Sequence, residues 1–248
     1  PAKEVPGYIK VNVSDKYSAR TGYGFDFGTI PFAIDRGGKK PLTSGFCTGD
    51  KPFFFSVSLP AGNYNIKIIT GDLKEASSTT VRAESRRLIF ENIITGPGKT
   101  EVMTATINIR TPKIGDTGEE VVRKPREMNK LNWDEKLTFE FTGKRPCICA
   151  LEITRTIDAV TVFLAGNSTV VDQDDDPWAS WGQMFPRFLT QGVVVANHAE
   201  SGLSLGSFLS SNRFKQVMNT MKSGDYLFIE FGHNDQKENG PDDGAFKS

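Results

Sequence analysis

Residues 160–171, VTVFLAGNSTVV, constrain the fold more than any other part of this chain. The segment begins with an apolar, β-rich run that ends at Ala165-Gly166, and Ser168 follows almost at once. A short apolar run bounded in this way predicts a parallel strand that is buried on both faces. Open α/β sheets bind their ligands at the carboxyl ends of their strands, so Ser168 is predicted to lie at such an edge.

The sequence after this segment alternates between predicted helices and strands. Aromatic side chains within the segment 178–190 recur at helical spacing, which predicts a helix there. Pro186 is expected to kink or shorten this helix. Residues 193–196 and 226–231 are predicted strands, and residues 203–222 contain a predicted helix between them. This alternation predicts a doubly wound parallel sheet with right-handed crossovers.

The sequence before the segment predicts an all-β sandwich or jelly roll. Its apolar runs are short and separated by turns, and they fall at residues 8–13, 23–28, 53–59, 64–70, 79–83, 87–90, 102–109, 137–141 and 148–153. Residues 111–130 are charged and contain Gly and Pro, which predicts a long surface loop. We therefore predict two domains, residues 1–156 and 157–248. The linker at 154–159 lacks Gly and Pro, so the two are expected to pack as one unit.

Composition excludes several classes of function. Lys plus Arg and Asp plus Glu both number 30 and no basic block is present, which argues against nucleic-acid binding. No run of 18 apolar residues predicts a membrane span. Cys47, Cys147 and Cys149 contain no C-x-x-C pair, so we predict free, buried thiols rather than a zinc or redox site. Nothing in the sequence indicates a cofactor or an oligomeric state.

An acidic run at residues 172–176 resembles a calcium loop only superficially. A calcium-binding EF-hand needs Gly at its sixth position and Glu at its twelfth, and Pro177 and Gln183 stand there instead. The sequence therefore favours a solvated acidic loop without a metal ion.

Small polar clusters follow each of the three predicted parallel strands. They are GNST at residues 166–169, NHAESG at 197–202 and GHND at 232–235. Because parallel strands end at one edge of the sheet, the clusters are expected to converge. Ser168 is then a candidate nucleophile. The backbone N–H groups of Ser168 and Gly202 and the side-chain amide of Asn234 are candidate donors to a developing oxyanion, as acyl transfer requires.

These three clusters, together with FLAGNSTVV, the WG at residues 181–182 and GDYLFIEFGHND, resemble the SGNH/GDSL hydrolase superfamily. The closest resemblance is to the rhamnogalacturonan acetylesterases of carbohydrate esterase family 12. The resemblance implies a flavodoxin-like α/β/α domain, with Ser168 as nucleophile and Ser168, Gly202 and Asn234 as oxyanion donors. It also implies an acetylated plant cell-wall polysaccharide as substrate and a secreted or periplasmic protein.

The chain departs from the family pattern in three places. Asn167 stands where the family usually has Asp, and Leu203 stands where many relatives have Arg. The family's catalytic Asp and His lie in a late D-x-x-H block, whereas His198 and His233 belong to earlier clusters. Neither histidine is therefore expected to be the base. We expect that the chain is the front part of a longer esterase, that its base lies beyond Ser248, and that the chain alone is inactive.

The first 156 residues resemble galactose-binding-like jelly-roll modules. The motifs are FDFG at 25–28, LPAGNYNIKI at 59–68, and LTFEF with CICALEITR between 137 and 155. The resemblance implies sugar binding, with Tyr17, Tyr23 and Trp133 as stacking platforms. The alternative, which we favour, is a packing domain that braces the second one. Other functions that stay open are a carbohydrate-binding protein with an inactive esterase-like domain, and another SGNH esterase such as a xylan acetylesterase or a lipase.

Overall fold

The computed structural model describes residues 4–238 and consists mostly of β-sheet with few helices. The strands are β1 Tyr23–Asp26, β2 Phe32–Asp35, β3 Gly45–Thr48, β4 Phe53–Ser58, β5 Gly62–Asp72, β6 Ser77–Ala83, β7 Arg87–Thr95, β8 Lys99–Ile109, β9 Lys136–Arg145, β10 Ile148–Thr156, β11 Val160–Gly166, β12 Val193–Asn197 and β13 Tyr226–Glu230. The α-helices are short: α1 Pro41–Ser44, α2 Trp181–Met184, α3 Leu205–Ser210, α4 Arg213–Thr220 and α5 Asp235–Glu238. Single 3₁₀ turns lie at Pro125–Glu127, Leu131–Trp133 and Phe185–Phe188.

Strands β1 to β10 form two five-stranded antiparallel sheets, in the orders β1-β4-β9-β6-β7 and β2-β3-β10-β5-β8. Alternate residues along β5 and β9 point inward, as the strand period of two requires. Tyr64, Ile66 and Ile68 on β5 share one apolar cluster with Leu137 and Phe139 on β9. Both sheets contribute to this cluster, so they form a sandwich around a single core.

The predicted strand at residues 8–13 is wrong. The chain turns there instead, with the amide of Asp15 donating to the carbonyl of Asn12 at 2.9 Å and the Asp15 carboxylate accepting from the Asn12 amide at 2.7 Å. The apolar alternation was real, but a local side-chain bond competes with sheet pairing in such segments. The prediction missed β2 and β3, which are only four residues long. The other predicted strands of the sandwich are confirmed, with shifted ends.

The segment between β8 and β9, residues 110–135, is only in part the surface loop that the sequence predicts, with residues 115–120 exposed. Ile114, Val121 and Glu127 are buried within it. The segment, which we call the β8–β9 connection, lies against α4 and the turn before it. The amide of Val122 donates to the carbonyl of Ser211 at 3.0 Å, for example. Charge and Gly/Pro content suggested a solvated loop, but the hydrogen-bond partners lie far along the chain.

The remaining strands form a three-stranded parallel sheet in the order β12-β11-β13. Strand β11 is central and almost entirely buried, as its apolar sequence predicts. The predicted helix at 178–190 is reduced to α2 and a 3₁₀ turn that begins one residue before Pro186. The predicted helix at 203–222 is divided into α3 and α4, because Asn212 adopts a left-handed conformation with φ of 63°.

Strand β13 stands at one edge of this sheet in the part of the chain that the structure describes. Tyr226, Phe228 and Ile229 are exposed there. No helix within residues 4–238 has the length and hydrophobicity needed to cross a membrane.

All three cysteines are free, as predicted. Cys147 is fully buried, while Cys47 and Cys149 are partly buried. Burial raises the pKa of the Cys47 thiol to about 11 and that of Cys149 to about 12, so both stay protonated and unreactive near neutral pH.

Candidate functional site

Three loops follow the parallel strands at one edge of the sheet, and hydrogen bonds join each loop region to the next. We call them the Ser168 loop (residues 167–173), the Gly202 loop (198–204) and the Asn234 loop (231–235). The amide of Glu200 donates to the carbonyl of Gly166 at 3.2 Å, and the side-chain amide of Asn234 donates to the carbonyl of Leu203 at 3.0 Å. The Thr169 hydroxyl donates to Glu230 at the end of β13.

The Ser168 loop is a tight turn organised by Asn167. The buried Asn167 accepts at its carbonyl from the amides of Val170 and Val171, at 3.1 and 3.0 Å, and at its side-chain oxygen from the amide of Thr169 at 3.2 Å. The amide that replaces the family's Asp therefore still holds the turn. Ser168 itself is half-buried, and its carbonyl accepts from the side chain of Gln173 at 3.0 Å.

The turn also requires Gly166. A Cβ atom at this position would lie 2.5 Å from the Val170 side chain and 3.0 Å from the carbonyl oxygen of Glu230. Both distances are shorter than normal carbon contacts, so any larger residue would push β11 and β13 apart or displace Val170.

Leu203, which stands where the resemblance implies Arg, lies in the Gly202 loop. Leu203 is buried and packs with Ala165 and Phe208 in a small apolar cluster. It therefore fills the core beneath the loop and contributes no charge to the rim. Gly202 itself is exposed and left-handed, with φ of 75°, a conformation that favours glycine. Within residues 4–238 its amide donates no hydrogen bond.

Asp235 holds the Asn234 loop. Its carboxylate accepts from the amides of Gly232 and Leu205, each at 2.8 Å, and so ties the end of β13 to the start of α3. Asn234 uses one side-chain N–H for Leu203, and a primary amide has two. Within residues 4–238 the second N–H is not used in a hydrogen bond, so it is available as a donor.

Neither histidine hydrogen-bonds Ser168 within the described residues. His233 is exposed, and its Nε2 lies 3.1 Å from Nζ of Lys237. His198 is buried against Phe163 and Trp133, at 5.9 and 6.4 Å between ring centres. Burial, reinforced by the charges of nearby arginines, holds the pKa of His198 well below its usual value near 6.5, so this imidazole is neutral.

The acidic run at 172–176 is solvated only in part, because residues 174–176 are exposed, as predicted, whereas Asp172 at its start is not. Asp172 is buried, 3.0 Å from Nε of Arg87, and its other oxygen accepts from the Asn197 side chain at 2.8 Å. Asp174 pairs with Lys130 at 3.0 Å. The run therefore fastens the Ser168 loop to the sandwich. Within residues 4–238, no group of His, Cys, Asp and Glu side chains is arranged to hold a metal ion.

Trp133 is not a sugar-stacking platform, contrary to one reading of the sequence. It is buried, with the guanidinium carbons of Arg110 and Arg213 at 4.8 and 5.5 Å from the ring centre. Its indole N–H donates to Glu127 at 3.2 Å. Sequence alone cannot separate an exposed tryptophan from a buried one in an irregular segment. Tyr17 and Tyr23 are half-buried.

The sequence analysis missed three basic residues of the β8–β9 connection that contact the Gly202 loop. Lys124 donates to the carbonyl of Ser201 at 2.8 Å, while Arg126 and Lys130 pair with the buried carboxylate of Glu200 at 2.8 and 3.2 Å. No local signal could have identified these contacts, because the partners lie 70 or more residues apart.

Comparison with known proteins relates the chain to esterases and confirms the resemblance to rhamnogalacturonan acetylesterases. No protein-family model matches it. The chain is 47% identical over 83 residues to the rhamnogalacturonan acetylesterase RhgT of Bacillus subtilis strain 168. The aligned region covers 33% of this chain and 36% of RhgT. It is 28% identical over 245 residues to the uncharacterized esterase YxiM of the same organism. This alignment covers 93% of this chain and 56% of YxiM.

The crystal structure of YxiM aligns over 96% of this chain and 64% of its own, with a TM-score of 0.45 and 24% sequence identity. The chain thus spans between about a third and somewhat more than half of the length of these two curated relatives.

Proposed function

We propose that this chain carries the nucleophile and oxyanion donors of an SGNH-type serine esterase that removes acetyl groups from a plant cell-wall polysaccharide. The single observation that carries the proposal is the joining of the Ser168, Gly202 and Asn234 loops at the carboxyl edge of one parallel sheet. Open sheets of this kind bind their ligands at that edge.

In the proposed reaction the Ser168 hydroxyl oxygen attacks the acetyl carbonyl carbon. The carbonyl oxygen becomes an oxyanion, which accepts hydrogen bonds from the amides of Ser168 and Gly202 and the side chain of Asn234. Collapse breaks the bond between the acetyl carbon and the sugar oxygen, and the sugar leaves as a hydroxyl by taking the proton that Ser168 lost. The acetyl-enzyme that remains is hydrolysed by water, which releases acetate and restores the Ser168 hydroxyl. Each correctly aimed donor is worth roughly 3 kcal/mol of barrier.

The proton of Ser168 must pass to a general base. Since neither histidine of the described residues bonds Ser168, the base we propose is the histidine of the late D-x-x-H block implied by the resemblance. The neutral, buried His198 supports this choice, because a base must reach the hydroxyl that it deprotonates.

The proposed substrate is acetylated rhamnogalacturonan, supported by the names of the similar esterases. A polysaccharide of the plant cell wall lies outside the cell that degrades it, so the proposal includes a secreted or periplasmic location.

The test is Ser168→Ala in the full-length protein, assayed by acetate release from acetylated rhamnogalacturonan. We expect release to fall by at least a thousandfold, because the nucleophile is removed. Ser210→Ala is the matched control, since Ser210 is an exposed serine at the end of α3. Full acetate release by the Ser168 variant would contradict the proposal.

A further inference from the structure

The Ser201–Gly202 peptide is held on one side by cations of the sandwich. Its carbonyl oxygen accepts from Nζ of Lys124 at 2.8 Å and from the guanidinium of Arg126. Both cations come from the β8–β9 connection. The amide N–H of the same peptide belongs to Gly202 and donates no hydrogen bond within residues 4–238.

The direction of the Ser201 carbonyl determines the direction of the Gly202 amide N–H, because both belong to one rigid peptide group. A trans peptide is planar, so its C=O and N–H bonds point in opposite directions. Two cations that fix the carbonyl toward the β8–β9 connection therefore aim the Gly202 N–H away from it. Hydrogen bonds to charged donors are also about twice as strong as neutral ones and polarise the groups linked to them. A cation-bound carbonyl makes its partner N–H a better donor.

The neighbouring residue is fixed by the same connection. Glu200 is buried, with Arg126 on one carboxylate oxygen at 2.8 Å and Lys130 on the other at 3.2 Å. Lys130 also pairs with Asp174, just beyond the Ser168 loop, at 3.0 Å. Burial opposes the charge of Lys130, but the two carboxylates outweigh it and raise its pKa, so the bridge stays charged.

We propose that Lys124 and Arg126 are positioning residues that aim the Gly202 amide at the oxyanion, and that Lys130 sets the spacing between the Gly202 and Ser168 loops. This inference rests on the proposed function, because it needs Gly202 to be an oxyanion donor. The sandwich is then a structural component of the active site through its β8–β9 connection, rather than a separate module attached to an esterase.

The backbone of Gly202 fits this assignment. A Cβ atom at Gly202 would lie 3.3 Å from Nζ of Lys124, so the cation occupies the space that a side chain would need. The left-handed φ and this close approach both call for glycine at the position where the carbonyl is held.

The experiment measures kcat and KM of the full-length protein with 4-nitrophenyl acetate, a small ester that makes no polysaccharide contacts. The variants are Lys124→Met and the double variant Lys124→Met/Arg126→Met. Lys113→Met is the matched control, because Lys113 lies on the same connection in an exposed pair with Glu135. Lys124→Arg tests rescue, since it keeps a cation near the carbonyl.

We expect the double variant to lose roughly tenfold to a hundredfold in kcat with KM within about twofold, because losing one oxyanion donor costs about a hundredfold or more. The single variant should lose less, Lys124→Arg should recover part of the loss, and Lys113→Met should match wild type. Thermal melting checks folding. If the double variant does not fold, the single variant and its Arg counterpart decide the matter.

Two different results would overturn the assignment. In the first, hydrolysis depends on Ser168, but kcat is the same in Lys124→Met, in the double variant and in Lys113→Met. This result would contradict the positioning role and would leave the proposed function intact. In the second, Ser168→Ala hydrolyses the ester as fast as the wild type. This result would contradict the proposed function and therefore also the positioning role, which depends on it.

Discussion

The sandwich and the parallel sheet bury their apolar residues in different ways. The sandwich has one continuous cluster of fifteen buried residues drawn from both of its sheets. The parallel sheet has three separate clusters of six, three and three buried residues within the described part of the chain. Strand β13 exposes most of its side chains, whereas parallel strands are usually covered on both faces.

The parallel sheet and its loops also make buried polar contacts with the sandwich and the β8–β9 connection. The pair between Arg213 and Glu127, at 2.6 Å, is completely buried, and the pair between Arg87 and Asp172 is nearly so. Buried ion pairs contribute little net stability over apolar packing, but they are costly to break. The sandwich is therefore stabilised mainly by its own core, while the parallel sheet depends on a specific fit to its neighbour.

The largest expected effect comes from the sandwich core. Phe139→Ala removes a fully buried ring that stacks on Phe141, and we expect it to lower the free energy of unfolding by about 4 kcal/mol. Urea unfolding measures this loss. Phe32→Ala on the exposed strand β2 is the control and should cost less than about 1 kcal/mol. Equal losses in the two variants would contradict a single dominant core.

Breaking the buried ion pair tests the dependence of the parallel sheet on its neighbour. Arg213→Met leaves Glu127 buried without its cation, and we expect a loss of about 3 kcal/mol. Hydrogen exchange should show β12 losing protection while β5 keeps it. Arg187→Met is the control, because its pair with Glu91 is partly exposed and worth less than about 1 kcal/mol. Uniform loss of protection across both sheets would contradict the comparison.

The smallest expected effect is the contribution of His198, in the second part of the chain, to the pH dependence of stability. Glu84 in the sandwich contributes with the opposite sign, because burial raises the pKa of its carboxyl to about 8. The only two histidines, His198 and His233, lie in the second part of the chain. The folded pKa of His198 is depressed, so below about pH 6.5 the unfolded state binds a proton that the folded state does not. From there down to its folded pKa, His198 should lower the stability by about 1.4 kcal/mol for each unit that the pH falls, while Glu84 raises it over the same range.

Denaturation series between pH 7.5 and 5 measure this slope. Replacing His198 with Gln should remove its contribution, so that lowering the pH destabilises the variant less than it destabilises the wild type, even though the absolute stability changes. Replacing the exposed His233 with Gln should leave the wild-type slope as it is. Equal slopes in the wild type and the His198 variant would contradict the contribution of His198.

Sequence reasoning succeeded where neighbours in the chain determine the structure. The alternating apolar residues of β5 and the continuous apolar run of β11 predicted these two strands. A strand that is buried on one face has apolar residues at alternate positions, and a strand that is buried on both faces has them at consecutive positions. The clusters at the three parallel strand ends also followed from strand polarity.

Sequence reasoning failed where distant residues determine the structure. The β8–β9 connection and the acidic run at 172–176 look solvated because they are charged. Glu127 in the first and Asp172 in the second are nevertheless buried, each against an arginine that lies far away in the sequence. Trp133, a stacking platform in one of the two interpretations of the sequence, is buried as the favoured packing-domain interpretation requires. The left-handed Asn212 that divides the predicted helix at 203–222 also has its side-chain partner, the carbonyl of Glu120, in this connection.

The position of the β8–β9 connection in the chain has a consequence for biosynthesis. A ribosome completes residues 110–135 and the closing strands β9 and β10 before it makes β11. Domains fold from the N-terminus as they emerge, so a finished sandwich can present Lys124, Arg126 and Glu127 before Glu200 and Arg213 have been translated. The first half of the nascent chain then acts as an internal template on which the later loops assemble.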